Sequence, residues 1–217
     1  MKTGIFLSYK GLGANLLHLS YCHEIAKKFG PVSLITLCPN LDRVLKDDPA
    51  FSEIIYLDKF HKKFFDLFKL SKFLKKLDFE NIFIFYPSLR HYLSSKIAGI
   101  KNIYHYPFFK KKNLHLVEAA KNFTEKSLNI KNCPTETKII LNNLEAQKYN
   151  NNDLKKIILG ISSSGPTTKW GYDNFTSLIK ELNKLNKFYF YLLCGPSDAV
   201  DADKIINQID EKNCESL

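Results

Sequence analysis

Short apolar runs alternate with longer amphipathic stretches along most of the chain. The apolar runs are bounded by glycine, proline or polar residues, which is typical of buried parallel strands. They predict strands at 3–9, 32–37, 54–57, 81–86, 101–106, 156–161 and 188–194. The stretches between them carry apolar residues at helical spacing. They predict helices at 13–29, 60–77, 87–98, 115–128 and 174–185, and one that begins near Val200. This alternation predicts an α/β fold of doubly wound parallel sheets, which bind ligands at the carboxyl ends of their strands.

The alternation is interrupted once, by a polar and asparagine-rich stretch at 131–155 that includes Pro134. We therefore predict an N-terminal Rossmann-like domain at 1–135, a connection at 136–155 and a partial C-terminal domain at 156–217. Two strands and two helices after the connection are too few for a complete doubly wound domain. We accordingly expect an incomplete second domain, in a truncated product, a fragment or a protein that borrows a partner's surface.

Charge narrows the class of partner. The 217 residues include 32 Lys and Arg against 22 Asp and Glu, which gives a net charge of +10. Only Arg43 and Arg90 are arginines, although arginine is the preferred side chain for reading guanine and phosphate in nucleic acids. The balance thus favours nucleotides, phosphorylated glycans or an acidic membrane surface, and it argues against nucleic acid.

Cysteine usage and hydropathy predict a cytoplasmic protein. The five cysteines and six histidines show no metal-binding spacing, so we expect free thiols and no metal. No apolar run approaches the ~18 residues that span a bilayer. The lysine-rich helix at 60–77 can lie on an anionic membrane surface, but more commonly such a helix packs on its own sheet. Its expected apolar face consists of Phe60, Phe64, Leu67, Phe68, Leu74 and Leu77.

A glycine-rich turn joins the first predicted strand to the first helix. It reads Tyr9-Lys10-Gly11-Leu12-Gly13-Ala14-Asn15. Glycines let a backbone approach a ligand closely, and a helix start presents N–H groups to an anion. Gly11, Gly13 and Asn15 are therefore candidate substrate-binding residues. The third glycine of a dinucleotide fingerprint is missing, so a plain strand-to-helix turn with Asn15 near its cap remains an alternative.

A hydroxyl-rich loop follows the first strand of the second domain. It reads Ser162-Ser163-Ser164-Gly165-Pro166-Thr167-Thr168-Lys169-Trp170. Hydroxyls donate to phosphate oxygens and a lysine neutralises their charge, and this position at a strand's carboxyl end suits phosphate binding. The alternative is a polar loop whose hydroxyls bond to their own backbone. Trp170 can pack under the loop and fix it.

A turn at Cys194-Gly195-Pro196-Ser197-Asp198 follows the next strand. It can line the same cleft as the hydroxyl-rich loop. A turn in which Ser197 or Asp198 caps the following helix is the commoner arrangement.

Four stretches of the sequence together carry a family resemblance. They cover 10–37, 77–106, 113–130 and 158–198. The first has the glycine-rich turn and a helix ending at Phe29, and the last has the lysine–tryptophan loop and the Gly-Pro-Ser-Asp turn. Together they resemble the lipopolysaccharide heptosyltransferases, glycosyltransferase family 9, over nearly the whole chain.

The resemblance implies two Rossmann-like domains of the GT-B type and an inverting glycosyl transfer. The donor is expected to be a nucleotide sugar, ADP-heptose in the first instance, bound by the C-terminal domain. The acceptor is expected to be a lipopolysaccharide-core or other envelope glycan, bound by the N-terminal domain at the inner face of the cytoplasmic membrane. Ser163, Ser164, Thr168 and Lys169 occupy the loop that holds the donor's diphosphate in the family. No metal or cofactor is implied.

The chain departs from the family pattern at three points. Ala14 stands where the family has an aspartate thought to act as general base, a loss that typically costs ~10²–10⁴ in rate. His18, one turn further along the helix, is the candidate replacement. Thr168 holds the usual place of the family lysine, while Lys169 adjoins Trp170. The later Asp-Ser/Thr-Gly-x-x-His motif is absent because the sequence ends first.

Other functions fit parts of the same sequence. One is a catalytically inactive relative that binds a sugar nucleotide or glycan, which Ala14 and the short second domain favour. Another is a basic protein that binds a membrane surface or a partner through the helix at 60–77. A two-domain epimerase fits the fold but fewer of the motifs.

Overall fold

The computed structural model describes residues 2–57, 66–108, 114–140, 154–163, 168–209 and 213–217. The chain forms two compact units, Met1–Glu145 and Ala146–Leu217. The division falls within the stretch that the sequence assigns to the connection, and residues 141–153 of that stretch lie outside the described part. Each unit is an α/β layer structure built on a parallel sheet.

Five parallel strands form the sheet of the first unit in the order β3-β2-β1-β4-β5. Their bounds are Thr3–Leu7 (β1), Val32–Thr36 (β2), Phe51–Tyr56 (β3), Asn81–Ile84 (β4) and Asn102–His105 (β5). The central strand β1 pairs with β2 on one side and β4 on the other, with Ile5 opposite Leu34 and Phe83. The order reverses between β1 and β4, so the carboxyl ends of these two strands flank the point where doubly wound sheets bind ligands.

Helices cover both faces of this sheet. Their bounds are Leu12–Leu16 (α1), Leu19–Phe29 (α2), Leu41–Val44 (α3), Asp66–Leu77 (α4), Leu89–Ile97 (α5) and Leu116–Leu128 (α6). Alternate residues of β1 enter two separate cores: Ile5 packs with residues of α2 and α6, and Phe6 packs with residues of α4. This alternation follows from the two-residue period of a strand, and it confirms the doubly wound fold.

Two local features of the first unit differ from the sequence prediction. The helix expected at 13–29 is divided at Leu17 and His18, where the amide of His18 donates to the Asn15 carbonyl (3.0 Å). The short helix α3 was not predicted, because four residues are too few to show a helical period. The predicted end of α2 is observed at Gly30, whose φ of 82° suits glycine.

The lysine-rich helix packs on the sheet in its described part, α4. Leu67, Leu70 and Leu74 are buried in the core beneath it. Phe68 is 62% exposed, so its predicted place on the buried face is wrong. It follows Leu67 directly, and one residue turns a helix by about 100°, away from the row that faces the sheet. Phe60 and Phe64 lie outside the described residues.

The second unit has three parallel strands in the order β6-β7-β8. They are Lys155–Gly160, Phe188–Leu193 and Cys214–Ser216, and they accompany helices α7 (Tyr172–Leu185) and α8 (Ala199–Asn207). A single 3₁₀ turn, Pro196–Asp198, precedes α8. The prediction of only two strands is wrong. The strand β8 contains one apolar residue, Cys214, and it is recognisable only by its pairing with β7.

Candidate functional site

The glycine-rich turn leaves β1 and leads into α1 at the carboxyl edge of the first sheet. Gly11 caps α1 with a φ of −77°, an ordinary value for any residue. A Cβ atom added at Gly11 or Gly13 would meet no atom within 4 Å. Packing within the protein therefore does not require glycine at either position. The space beside both glycines is open, and a ligand can approach the backbone closely there.

Asn15 holds this turn from the inside. Its side chain is fully buried, and its amide donates to the carbonyls of Tyr9 (3.0 Å) and Gly11 (2.7 Å). Its carbonyl accepts from the Thr36 hydroxyl at the end of β2 (2.8 Å), and that hydroxyl accepts from the Cys38 amide (3.0 Å). The structure thus places Asn15 behind the turn, with its polar atoms bound to protein, and not on the open face of the two glycines.

His18, the candidate base, is enclosed in the first unit. Its Nδ1 lies 2.6 Å from the carbonyl oxygen of Ala14, which can only accept, so Nδ1 carries a proton. Among the described residues its Nε2 is buried without a hydrogen-bond partner. The ring stacks on Tyr9 at 4.8 Å, and burial lowers the pKa of His18. His18 is therefore a neutral imidazole at neutral pH with an unprotonated Nε2, and its ring also packs edge-on against Tyr21 and Phe85.

A second polar cluster at this edge was missed by the sequence reasoning. Ser8 follows β1, and its hydroxyl lies 3.1 Å from Nδ1 of His91, in the first turn of α5. His91 is buried against Phe6, with ring centroids 4.2 Å apart, and Arg90 precedes it. The cluster spans the reversal point between β1 and β4. The scarcity of arginine in the sequence was the one signal that could have drawn attention to Arg90.

In the second unit, three of the four predicted loop residues are described. Ser163, Thr168 and Lys169 lie at the carboxyl end of β6, and the hydroxyls of Ser163 and Thr168 are hydrogen-bonded to each other. Ser164 lies outside the described residues. Trp170 is 53% exposed and meets Phe175 of α7 edge-on at 4.9 Å. Residues 164–167 of the loop lie outside the described residues, so the packing of Trp170 under the loop stays a prediction.

Asp198 connects the loop to the end of the neighbouring strand. Its carboxylate accepts hydrogen bonds from the hydroxyl of Ser162 (2.6 Å) and from the ammonium group of Lys169. The Ser162 hydroxyl in turn accepts from the Gly195 amide (2.8 Å). Asp198 stands at the start of α8 but makes no side-chain cap there, so the capping interpretation of this turn is wrong for Asp198.

The ion pair shifts both titrations. The hydrogen bond with Lys169, followed by that with Ser162, holds the pKa of Asp198 below its ordinary value. The same contact with Asp198 raises the pKa of Lys169. Both groups are therefore charged at neutral pH, and Lys169 places a positive charge at the loop.

Within the described ranges, no group of three or more His, Cys, Asp and Glu side chains could hold a metal ion. None of the helices in that part of the chain is both long and apolar enough to cross a membrane.

Solved structures decide the fold family. No protein-family profile and no curated protein matches the chain by sequence. A family 9 glycosyltransferase from Veillonella parvula matches 99% of the chain and 69% of its own length, with a TM-score of 0.73 and 16% identity. The chain has the fold of the family 9 glycosyltransferases.

Two further structures support this statement. The E. coli ADP-heptose lipopolysaccharide heptosyltransferase II matches the whole chain and 72% of its own length, with a TM-score of 0.72 and 15% identity. An E. coli heptosyltransferase solved with ADP-2-deoxy-2-fluoro heptose matches the whole chain and 76% of its own length, with a TM-score of 0.66 and 14% identity. The family 9 fold thus extends over both units, and the resemblance read from the sequence is confirmed at the level of fold.

Proposed function

We propose that the protein is a glycosyltransferase that transfers a sugar from a nucleotide donor to an envelope glycan. ADP-linked heptose is the proposed donor, and a lipopolysaccharide core or related glycolipid at the inner face of the cytoplasmic membrane is the proposed acceptor. The fold supports the reaction class, since the structures it matches include heptosyltransferases and one of them holds an ADP-sugar analogue. The finer assignment rests on the loop after β6.

The hydroxyl and lysine cluster at the carboxyl end of β6 carries the proposal. Hydroxyls of Ser163 and Thr168 and the ammonium of Lys169 are placed at the edge where doubly wound sheets bind nucleotides. A diphosphate that leaves an anomeric carbon needs hydrogen-bond donors and positive charge to stabilise it. These three side chains supply both without a metal, and Ser164 is proposed to take part with them.

The open glycine turn of the first unit is the proposed acceptor surface. A hydroxyl of the acceptor attacks the anomeric carbon, the bond to the diphosphate breaks, and a single displacement inverts the configuration. Gly11 and Gly13 leave room for the acceptor to approach the backbone. Asn15 supports the turn from behind. It is proposed to affect acceptor binding indirectly, by fixing the shape of the turn.

The proton of the attacking hydroxyl must pass to a base. Ala14 supplies none. Nε2 of His18 is unprotonated but buried, so the side chains that enclose it have to move before that atom can receive a proton from an acceptor. This enclosure specifically favours a second candidate function, a sugar-nucleotide-binding relative without transferase activity.

Nucleotide binding followed by turnover tests the proposal. The protein is heated with ADP, UDP, GDP or CDP, and a ligand present at a hundred times its dissociation constant adds ~2.7 kcal/mol of apparent stability. ADP alone is expected to raise the melting temperature, and an ADP-sugar is expected to be consumed when a glycolipid acceptor is added. Binding without turnover identifies the inactive relative. No binding by any nucleotide contradicts both functions.

A further inference from the structure

The carboxylate of Asp198 lies where three segments of the second unit meet. It bonds to Ser162 at the end of β6, to Ser197 in the turn after β7 (3.4 Å) and to Lys169 on the far side of the loop. Its side chain is only 4% exposed, whereas that of Lys169 is 34% exposed. A buried anion thus faces a cation that still reaches solvent.

This difference in exposure decides which of the two side chains can contact a ligand. A carboxylate in such a position needs its counter-charge, because removing one member of a buried pair leaves the other uncompensated. The lysine ammonium has three N–H groups, and one contact with Asp198 leaves the others to donate elsewhere. A phosphate group can therefore bind to Lys169 without separating it from Asp198.

We propose that Asp198 is a positioning residue for the donor loop, holding Lys169 in the direction in which it meets the donor's diphosphate. This inference rests on the proposed function, because the diphosphate is the ligand that Lys169 would meet. Ser162 completes the arrangement: it accepts from the Gly195 amide and donates to Asp198, so the carboxylate is fixed to both β6 and the turn after β7. Free rotation of a long lysine side chain is thereby restricted before the donor arrives.

The pairing also sets the pH range of the arrangement. The lowered pKa of Asp198 means that its stabilising contribution is lost when pH falls through that lowered pKa. The raised pKa of Lys169 means that its contribution is lost when pH rises through that raised pKa. The pair is intact over the neutral range in which binding would be measured.

A double-mutant cycle separates positioning from a general structural role. The four proteins are the wild type, Lys169→Met, Asp198→Asn and the double variant, and the probe is ADP measured by calorimetry. Lys169→Met is expected to weaken ADP about tenfold or more, as loss of a charged hydrogen bond does. Asp198→Asn is expected to weaken it about two- to tenfold, because Lys169 regains its rotamers. The double variant should bind no more weakly than Lys169→Met alone.

The ligand-free melting temperatures give a second readout. Lys169→Met should be the least stable of the four, because it leaves Asp198 without its cation, and adding Asp198→Asn should recover part of the loss. Asp203→Asn is the matched control, since it removes the same charge from an exposed side chain of α8. It should change ADP affinity by less than about twofold.

The outcomes are distinguishable. Additive losses in the cycle, or tighter binding by Asp198→Asn, would overturn the positioning role while leaving the proposed function standing. Tighter binding would mean that the carboxylate competes with phosphate for Lys169. If the wild type binds neither ADP nor another nucleoside diphosphate, the proposed function fails and this inference fails with it.

Discussion

The turns at the carboxyl ends of β1 and β6 are each held by one buried polar side chain, which is neutral in the first turn and charged in the second. In the first unit, buried Asn15 links the glycine turn to Thr36 of the neighbouring strand. In the second, buried Asp198 links the hydroxyl loop to the ends of two strands. The neutral Asn15 brings no charge to its turn, whereas the charged Asp198 also holds a cation at the loop.

Removing Asn15 should produce the largest effect. Asn15→Ala removes the hydrogen bonds to the Tyr9 carbonyl, the Gly11 carbonyl and the Thr36 hydroxyl, and each such bond contributes about 0.5–1.5 kcal/mol. We expect a loss of about 3 kcal/mol in the free energy of unfolding, measured with urea. Asn122→Ala, at an exposed position of α6, is the control and should cost less than about 0.5 kcal/mol. A loss below about 1 kcal/mol for Asn15→Ala would mean that water replaces the side chain.

A smaller effect should appear in acid. Because burial lowers the pKa of His18, the unfolded chain binds its proton more readily than the folded one. The free energy of unfolding should fall as pH drops below about 6.5, the ordinary pKa of histidine. His18→Gln should flatten this dependence between about pH 7 and 5. Urea titrations at several pH values measure it, with Asn122→Ala, which removes no titratable group, as a control that should keep the wild-type slope. An unchanged slope in His18→Gln would place the acid sensitivity elsewhere.

Gly13→Ala should separate stability from activity. The new methyl group meets no atom within 4 Å, and alanine is favoured over glycine in a helix by roughly 1 kcal/mol. Stability should therefore stay the same or rise slightly, while glycosyl transfer falls because the open face is obstructed. In contrast, Gly4→Ala should lose about 1–3 kcal/mol, because its Cβ would come within 2.8 Å of the Phe79 ring. Wild-type transfer rates in Gly13→Ala would exclude this face as the acceptor surface.

The smallest expected effect is a difference between the two turns in their response to salt. The Lys169 contact with a diphosphate lies at a partly exposed side chain, so screening should weaken ADP binding about threefold between 50 and 500 mM salt. The loss in free energy of unfolding caused by Asn15→Ala should not change over the same range, because the hydrogen bonds of the Asn15 side chain are between neutral groups. If salt changed neither ADP affinity nor the stability loss of Asn15→Ala, or changed both equally, the proposed electrostatic difference between the two turns would be wrong.

Local sequence patterns are enough to predict the alternation of elements and the places where loops leave the strands. Apolar periodicity is a local property, so β1, β2 and α6 were predicted to within about two residues of their observed bounds. The same logic located both the glycine turn and the hydroxyl loop at carboxyl ends of strands. It failed for β8, which has no apolar period. It also failed for the division between α1 and α2, where the His18 amide bonds to the Asn15 carbonyl and the His18 ring to the Ala14 carbonyl.

Tertiary structure decided what each polar side chain does. Asn15 meets Thr36 across 21 positions of sequence, Lys169 meets Asp198 across 29, and Ser8 meets His91 across 83. These partners come together because parallel strands bring their carboxyl ends to one edge of a sheet, and the strand order sets which ends are neighbours. Residue type alone could nominate Asn15 for a ligand and Asp198 for a helix cap. Only the strand order could show that one supports a turn from behind and the other holds a lysine.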